Sequence, residues 1–402
     1  MVDAAEIVDA GGTKTRPRGR TLTSQAEATC ELRPFDASAR ADYAAFCRSA
    51  LHSTPQNPAF VEAWANQPGS DMVLASVRRS GRTILMLVLE IAKDGAATMA
   101  RYPGGRHANG SFPAFCGQDG EELRDMIASA MRSTRPDVDL ILLERNEPER
   151  NGRGNPLYGQ GCVRSPNVAL AVDLAGGFEQ VVSGSSGKRK RKKHRSQLRK
   201  FEAVGPHRRF AATTPEDVDQ LLSAFYDMKA ERFREMGITD VFAPDAVRRA
   251  FRDIFTGALD RPSPDFVLHG LEVGGILRAV TGSSISGDRI TCEFSSFRSD
   301  DLAWASPGDF LFFENIKEAC ENGLAVYDFG VGDEPYKRQW CDIETRHFDF
   351  HLPLTARGHA VSATMRATGA VKRAIKENRL VWSVLKKLRK SGAGKPTPDS
   401  DD

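Results

Sequence analysis

A chain of 402 residues, 40% of them hydrophobic and 27% charged, has material for two cores rather than one. Its formal charge of +3 excludes a uniform polycation, so its basic residues act through local fields. Seven cysteines without a CxxC pair speak against a zinc site or disulfide framework and for a reducing compartment.

Residues 1–28 are polar and aperiodic, which predicts a disordered tail. Over residues 29–180 a first domain is expected. Its helix over Ala39 to His52 buries a stripe containing Tyr43, Phe46 and Cys47, and strands follow at Met72 to Val77, Ile84 to Ile91 and Ala97 to Tyr102. Glu121 to Ser133 reads as a helix, and Leu140 to Glu144 and Val168 to Leu174 as strands. A Gly/Ser-rich linker at Val181 to Gly187 marks the boundary to a second domain, 181–358. There the order repeats: a basic helix from Lys188 to Val204, a strand near His207 to Ala211, then helices at Glu216 to Met236 and Asp245 to Leu259. Thr214-Pro215-Glu216-Asp217 caps the first of these two. Strands at Phe266 to Val273, Gly275 to Ser284, Arg289 to Phe297 and His347 to Pro353 complete the set. A basic amphipathic helix is expected over 359–390, with Val371, Ile375, Val381, Val384, Leu385 and Leu388 as its stripe, and an acidic tail over 391–402. No apolar run approaches the roughly 20 residues of a membrane span. The start of the chain has no apolar signal core, so the expectation is a cytoplasmic protein that can rest on the inner face of an anionic membrane through its basic helices.

The densest chemistry lies between Asp301 and Asp342. Ser306-Pro307-Gly308-Asp309 reads as a helix start with Ser306 as cap, and Asn322-Gly323 as that helix's end. A short strand, Leu324 to Phe329, then runs into Gly330-Val331-Gly332-Asp333-Glu334-Pro335-Tyr336-Lys337, a turn crowded with ionisable groups. Free amides at a helix start can hold a pyrophosphate, which makes Ser306, Pro307, Gly308 and Asp309 the candidate cofactor site; a capped core helix explains them equally well.

The run SPGDFLFFENIKEACENG, with YDFG, GDEPYK and Trp340 after it, resembles the acyl-CoA acyltransferases of the GNAT superfamily, in the CelD-type branch associated with cellulose biosynthesis and related to FemAB-like transferases. The superfamily's spaced-glycine pyrophosphate loop is reduced here to Ser306-Pro307-Gly308. The resemblance implies an α/β (α+β layered) fold, a tandem of two GNAT-like domains with mixed, mostly antiparallel sheets flanked by helices. It implies that Arg289 to Phe297 splays from the Leu324 to Phe329 strand to receive a thioester, with acetyl-CoA or another acyl-CoA as donor and no metal. In that frame Glu293 is a general base, Asp328 orients the acceptor, Tyr336 protonates the leaving thiolate and Lys337 holds a phosphate; Arg232 and Asp333 are substrate-side candidates. Alternation along Arg289 to Phe297 places Cys292 and Phe294 on one face and Glu293 on the other.

Plainer assignments exist for each: a solvated or salt-bridged Glu293, a turn-capping Asp328, a packed Tyr336 ring, and Lys337 paired to Asp333 or Glu334. The run Lys188 to Lys200, nine Lys or Arg residues without an acid, can draw anionic donors or a membrane, but lacks the interleaved aromatics of single-strand nucleic-acid binding. The expected activity is acyl transfer to a sugar, amino sugar or envelope polysaccharide precursor. An aminoacyl-tRNA-dependent transferase and a non-catalytic accessory protein of polysaccharide synthesis are the alternatives.

Overall fold

The computed structural model describes residues 28–117, 123–159, 162–183 and 187–377, with side chains as far as 371. The tail at 1–27, the side chain of Ile375, the stripe residues Val381, Val384, Leu385 and Leu388, and the acidic end fall outside that description. The first half contains β1 (Ala28–Pro34), α1 (Ala37–Cys47), a 3-10 turn (Thr54–Gln56), α2 (Pro58–Ala65), β2 (Met72–Arg79), β3 (Arg82–Asp94), β4 (Ala97–Arg101) and β5 (Ala114–Phe115). It continues with α3 (Leu123–Thr134), β6 (Leu140–Asn146), β7 (Glu149–Arg150), β8 (Arg153–Gly154) and β9 (Val163–Asp173). After α4 (Gly177–Val181) come α5 (Gly187–Glu202), β10 (His207–Ala211), α6 (Pro215–Met236), α7 (Asp245–Leu259), β11 (Phe266–Val273), β12 (Ile276–Ser286) and β13 (Arg289–Phe297). The last elements are α8 (Pro307–Glu321), β14 (Val326–Val331), α9 (Pro335–Arg338), β15 (Ile343–Pro353) and α10 (Ala356–Glu377).

One sheet runs through both halves in the order β1-β2-β3-β4-β6-β15-β9-β14-β13-β12-β11-β10, with β5 on the side of β3. Each half repeats one plan: four antiparallel strands, a helix, then a strand parallel to the fourth (β6 beside β4, β14 beside β13). The final strand of each half crosses the seam. β15 lies against β6 and β9 against β14, and β9 pairs with β15 between them. The fold is therefore the mixed, mostly antiparallel tandem that the sequence leads one to expect.

Strand β3 shows why the sheet holds. Its run Ile-Leu-Met-Leu-Val-Leu has no polar alternation because helices cover both faces. Leu85, Leu87 and Leu89 enter a cluster with Ile127 and Met131 of α3, while Met86 and Val88 enter a second cluster with Tyr43 of α1, Phe60 of α2 and Phe225 and Phe251 of α6 and α7. Burying such a side chain contributes about 1.5–3 kcal/mol. The second cluster draws on both halves and so joins them. Helix α6 starts where expected, with the reciprocal Thr214 and Asp217 capping box, and ends at Gly237 in the left-handed region.

One helix is added and two local expectations are corrected. Asn57-Pro58 starts a helix, α2, that periodicity does not reveal in eight residues; the Asn57 carboxamide accepts from the amides of Ala59 and Phe60. Ser306 does not cap α8 with its side chain: it stands at φ +56°, ψ +61°, because the chain leaves a tight 3-10 turn at Ala303–Ala305. Cys292 and Phe294 do not share a face. Glu293 is the extra residue of a bulge, since Gly282 faces Phe294 and Ser283 faces Cys292. Cys292 therefore packs under α8 and Phe294 under α6 and α7.

Candidate active site

Strands β13 and β14 pair over three rungs only, Arg289 with Val326, Ile290 with Tyr327 and Thr291 with Asp328, and then part. The bulge at Glu293 lies just past the last rung, so the two strands open toward their carboxyl ends, where ligand crevices form in α/β sheets. The opening is not empty at its inner end. Asn109, from the loop after β4 in the first half, donates its side-chain amide to the carbonyls of Cys292 (2.9 Å) and Glu293 (2.8 Å). Across from it, Gly330 stands at φ +72°, and a Cβ there would lie 2.6 Å from Cγ of Asn109. Only glycine leaves room for this side chain.

The Glu293 carboxylate is held from three sides. Thr54 and Ser284 each donate a hydroxyl to Oε1 at 2.6 Å, and the backbone N–H of Asn109 donates to Oε2 at 2.8 Å. Burial raises the pKa of Glu293 above the ordinary carboxylate range against the pull of these donors, which moves it toward the range useful to a general base. Asp328 is anchored as well: Oδ2 accepts from Arg289 at 2.7 Å and Oδ1 from the amide of Gly330 at 2.7 Å. Glu293 and Asp328 thus sit on opposite walls of one opening, with Asn109 between the strands. Burial pushes the thiol of the adjacent Cys292 up to about 12, so it stays protonated and is a poor nucleophile.

At the outer end, the first turn of α8 faces α5. Lys193 pairs with Asp309 at 3.0 Å, and Gln197 donates to the carbonyls of Ala305 (3.1 Å) and Ser306 (2.9 Å). Beside this contact lies a cavity of about 320 Å³ lined by Arg189, Lys190, Lys193, Asp309, Phe313, Gln339 and Trp340. The Lys190 ammonium sits 4.3 Å from the centre of the Trp340 ring. Three cations against one carboxylate, with an aromatic wall, make a place for an anionic group. The basic run is therefore partly a pocket wall rather than wholly a solvated face.

The other candidates have distinct surroundings. The Tyr336 ring stacks on Phe312 of α8 (centroids 5.6 Å, 13°) and meets Phe329 of β14 edge-on at 6.0 Å. Lys337 is buried and bonds Glu334 (2.8 Å) and the Val331 carbonyl (2.9 Å). Asp333 is exposed and pairs with Arg338. The Arg232 guanidinium lies 5.9 Å from the ring of Phe297, the same ring that a Cβ on Gly308 would approach at 3.4 Å. Arg232 and Gly308 therefore flank the same ring. Thr54, Asn109, Ser284 and Arg289 join the site without any mark in the sequence beyond the Asn109-Gly110 turn signal. Thr54 and Asn109 lie 239 and 184 residues from Glu293.

Residues 188–338 match the model of the acetyltransferase (GNAT) domain. No curated protein matches the chain. Among solved structures, that of FemX is 11% identical at a TM-score of 0.56, covering 81% of this chain and 98% of that one. The C-terminal DUF2156 domain of a candidate lysylphosphatidylglycerol synthetase from Agrobacterium fabrum is 12% identical at a TM-score of 0.52, covering 83% and 96%. A tandem GNAT protein from the clavulanic acid biosynthesis pathway is 14% identical at a TM-score of 0.46, covering 82% and 99%. By sequence the second half matches a GNAT acetyltransferase domain, and by fold the chain as a whole is of the kind seen in FemX.

Proposed function

We propose that the protein is an acyl-CoA-dependent N- or O-acyltransferase of the CelD-type branch, acting in the cytoplasm on a sugar, amino sugar or envelope polysaccharide precursor. The observation that carries the reading is the parting of β13 and β14 at a bulge that presents Glu293, inside the segment that matches the GNAT domain. The first turn of α8, from Ser306 to Asp309, and the cavity of Arg189, Lys190 and Lys193 receive the phosphates of the donor, and the pantetheine arm runs inward from there. The acceptor nitrogen or oxygen attacks the thioester carbonyl and gives its proton to Glu293, the carbon–sulfur bond breaks, and the thiolate takes a proton, for which Tyr336 is the source we assign. Asp328, held by Arg289, orients the acceptor; Arg232 and Asp333 serve its approach. Lys337, already engaged with Glu334, shapes the turn in this scheme as well as adding positive potential.

Titration calorimetry with acetyl-CoA and longer acyl-CoAs, paired with a thiol-release assay over a panel of sugars and amino sugars, tests this. Binding that weakens at least about tenfold in Lys190→Glu/Lys193→Glu and is blocked by Gly308→Trp supports the assignment. A wild type indifferent to every thioester ends it.

A second reading draws on the cationic α5 and on whole-chain likeness to FemX and the synthetase domain: transfer of an aminoacyl group from tRNA. Retention of charged tRNA that falls with salt, without coenzyme A binding, selects it. Coenzyme A binding with no thiol release for any acceptor selects an accessory protein that has lost turnover.

A further inference from the structure

The opening between β13 and β14 is closed by a residue that the second half does not own. Asn109 belongs to the segment Tyr102-Pro103-Gly104-Gly105-Arg106-His107-Ala108-Asn109-Gly110-Ser111, which is anchored on both sides of it: the Tyr102 hydroxyl donates to Asn146, the Gly104 amide to Glu90, and Arg145 to the carbonyls of Arg106 and Ala108. His107 stacks on Trp64 (centroids 5.6 Å, 17°). Ser111 bridges to the strand end beyond β6, its amide donating to the Arg145 carbonyl at 3.0 Å and its carbonyl accepting from Glu147 at 2.9 Å. Between those anchors Asn109 reaches across the seam, and its carboxamide takes the carbonyls of Cys292 and Glu293. Those are backbone acceptors that β14 leaves unpaired once the strands part. An extended donor arm carrying amide groups needs the same acceptors.

We propose that Asn109 is a specificity-determining gate of the donor opening: it occupies the hydrogen-bonding positions of an incoming amide-bearing arm, and a donor reaches Glu293 only by displacing it. This rests on the acyl-donor reading above. Displacement has a second consequence. Thr54 and Ser284 hold Oε1 of Glu293 whether or not Asn109 is seated, whereas Oε2 takes its protein hydrogen bond from the Asn109 amide. Withdrawal of Asn109 therefore leaves one oxygen fixed and frees the other toward the opening. Donor entry and exposure of the base become one event. Gly330 supplies the matching half of the device, since any side chain there would meet Asn109.

Calorimetry of coenzyme A on the wild type and on Asn109→Gly tests the gate, with hydrogen exchange of residues 103–112 followed in the unmodified protein. Asn109→Gly is expected to bind coenzyme A about tenfold more tightly, because the closed fraction no longer competes. Exchange at 103–112 in the wild type is expected to proceed through local opening and to speed up when coenzyme A is added. Equal or weaker binding by Asn109→Gly overturns the gate, whereas a merely structural Asn109 would cost stability without raising affinity. If neither protein binds coenzyme A, the acyl-CoA reading falls and hydrogen exchange decides alone. An Asn109 amide that exchanges only with global unfolding ends the gate, and local opening retains it for another amide-bearing donor.

Discussion

The chain contains the same opening twice, and the two have opposite fates. In the first half β4 pairs with β6 over two rungs, Met99 with Leu140 and Ala100 with Ile141, and then departs. That opening is sealed by first-half side chains: the hydroxyl of Tyr102, 3% exposed, donates to Oδ1 of Asn146 at 2.7 Å, and Nδ2 of Asn146 donates to the carbonyls of Leu143 and of Phe348 on the crossing strand β15. In the second half the opening holds Glu293, Asp328 and Arg289, and Asn109 is lent to it from across the seam. A splayed pair of parallel strands is thus a geometry and not a function; what fills it decides which opening can admit a ligand. The first has become core, and the second keeps ionisable groups on both walls.

Mutation of either opening tests this difference, and the largest expected effect is in the sealed half. Tyr102→Ala removes a buried ring and leaves Asn146 without its donor, at about 4 kcal/mol of stability by urea unfolding; coenzyme A affinity of the folded fraction is expected to be unchanged. A large loss of affinity instead would mean that the two openings communicate. In the second half, Asp328→Ala strips Arg289 of its counter-charge. A buried pair cut in this way costs about 3 kcal/mol, and transfer is expected to vanish along with it.

Gly330→Ala is next, at about 2 kcal/mol, because its φ of +72° and the seat of Asn109 both resist a Cβ. Combining it with Asn109→Gly should recover part of that loss, which a double-mutant cycle reads directly. A smaller effect is confined to acid. Burial, with Arg101 and Arg145 nearby, lowers the His107 pKa from 6.5 to about 4. Between those values the unfolded chain binds more protons than the folded one, so stability falls as pH drops through the window, by about 1 kcal/mol near pH 5.5. His107→Phe should flatten that slope, as followed by urea unfolding at several pH values, and an unchanged slope would detach His107 from the anchoring of the gate. Last, Arg338→Ala breaks exposed pairs with Asp333 and Glu344 and should shift stability by no more than about 0.5 kcal/mol.

Much of the second half was legible in the sequence. The strands at His207–Ala211, Phe266–Val273 and Arg289–Phe297 and the helix at Asp245–Leu259 stand at the expected residues; Gly-Gly and Ser-Gly-Asp turns separate β11, β12 and β13 locally. The strand expected at Leu324 to Phe329 begins two residues later, at Val326, and the four-residue helix carrying Tyr336 and Lys337 was not expected, since one turn holds too little periodicity to register. The bulge at Glu293 was equally hidden: alternation predicts one face for Cys292 and Phe294, and an inserted residue reverses it without altering composition.

By itself the amino-acid order determined the tandem plan, the basic helix and the helix start at Pro307, since each follows from neighbours within a turn or two of chain. Tertiary structure alone decided that the last strands cross the seam, that Thr54 and Asn109 come to rest on Glu293, and that three cations of α5 line a cavity with Trp340. These contacts join residues more than a hundred positions apart, and their partners are chosen by how two halves pack over a common aromatic core, which no local pattern encodes.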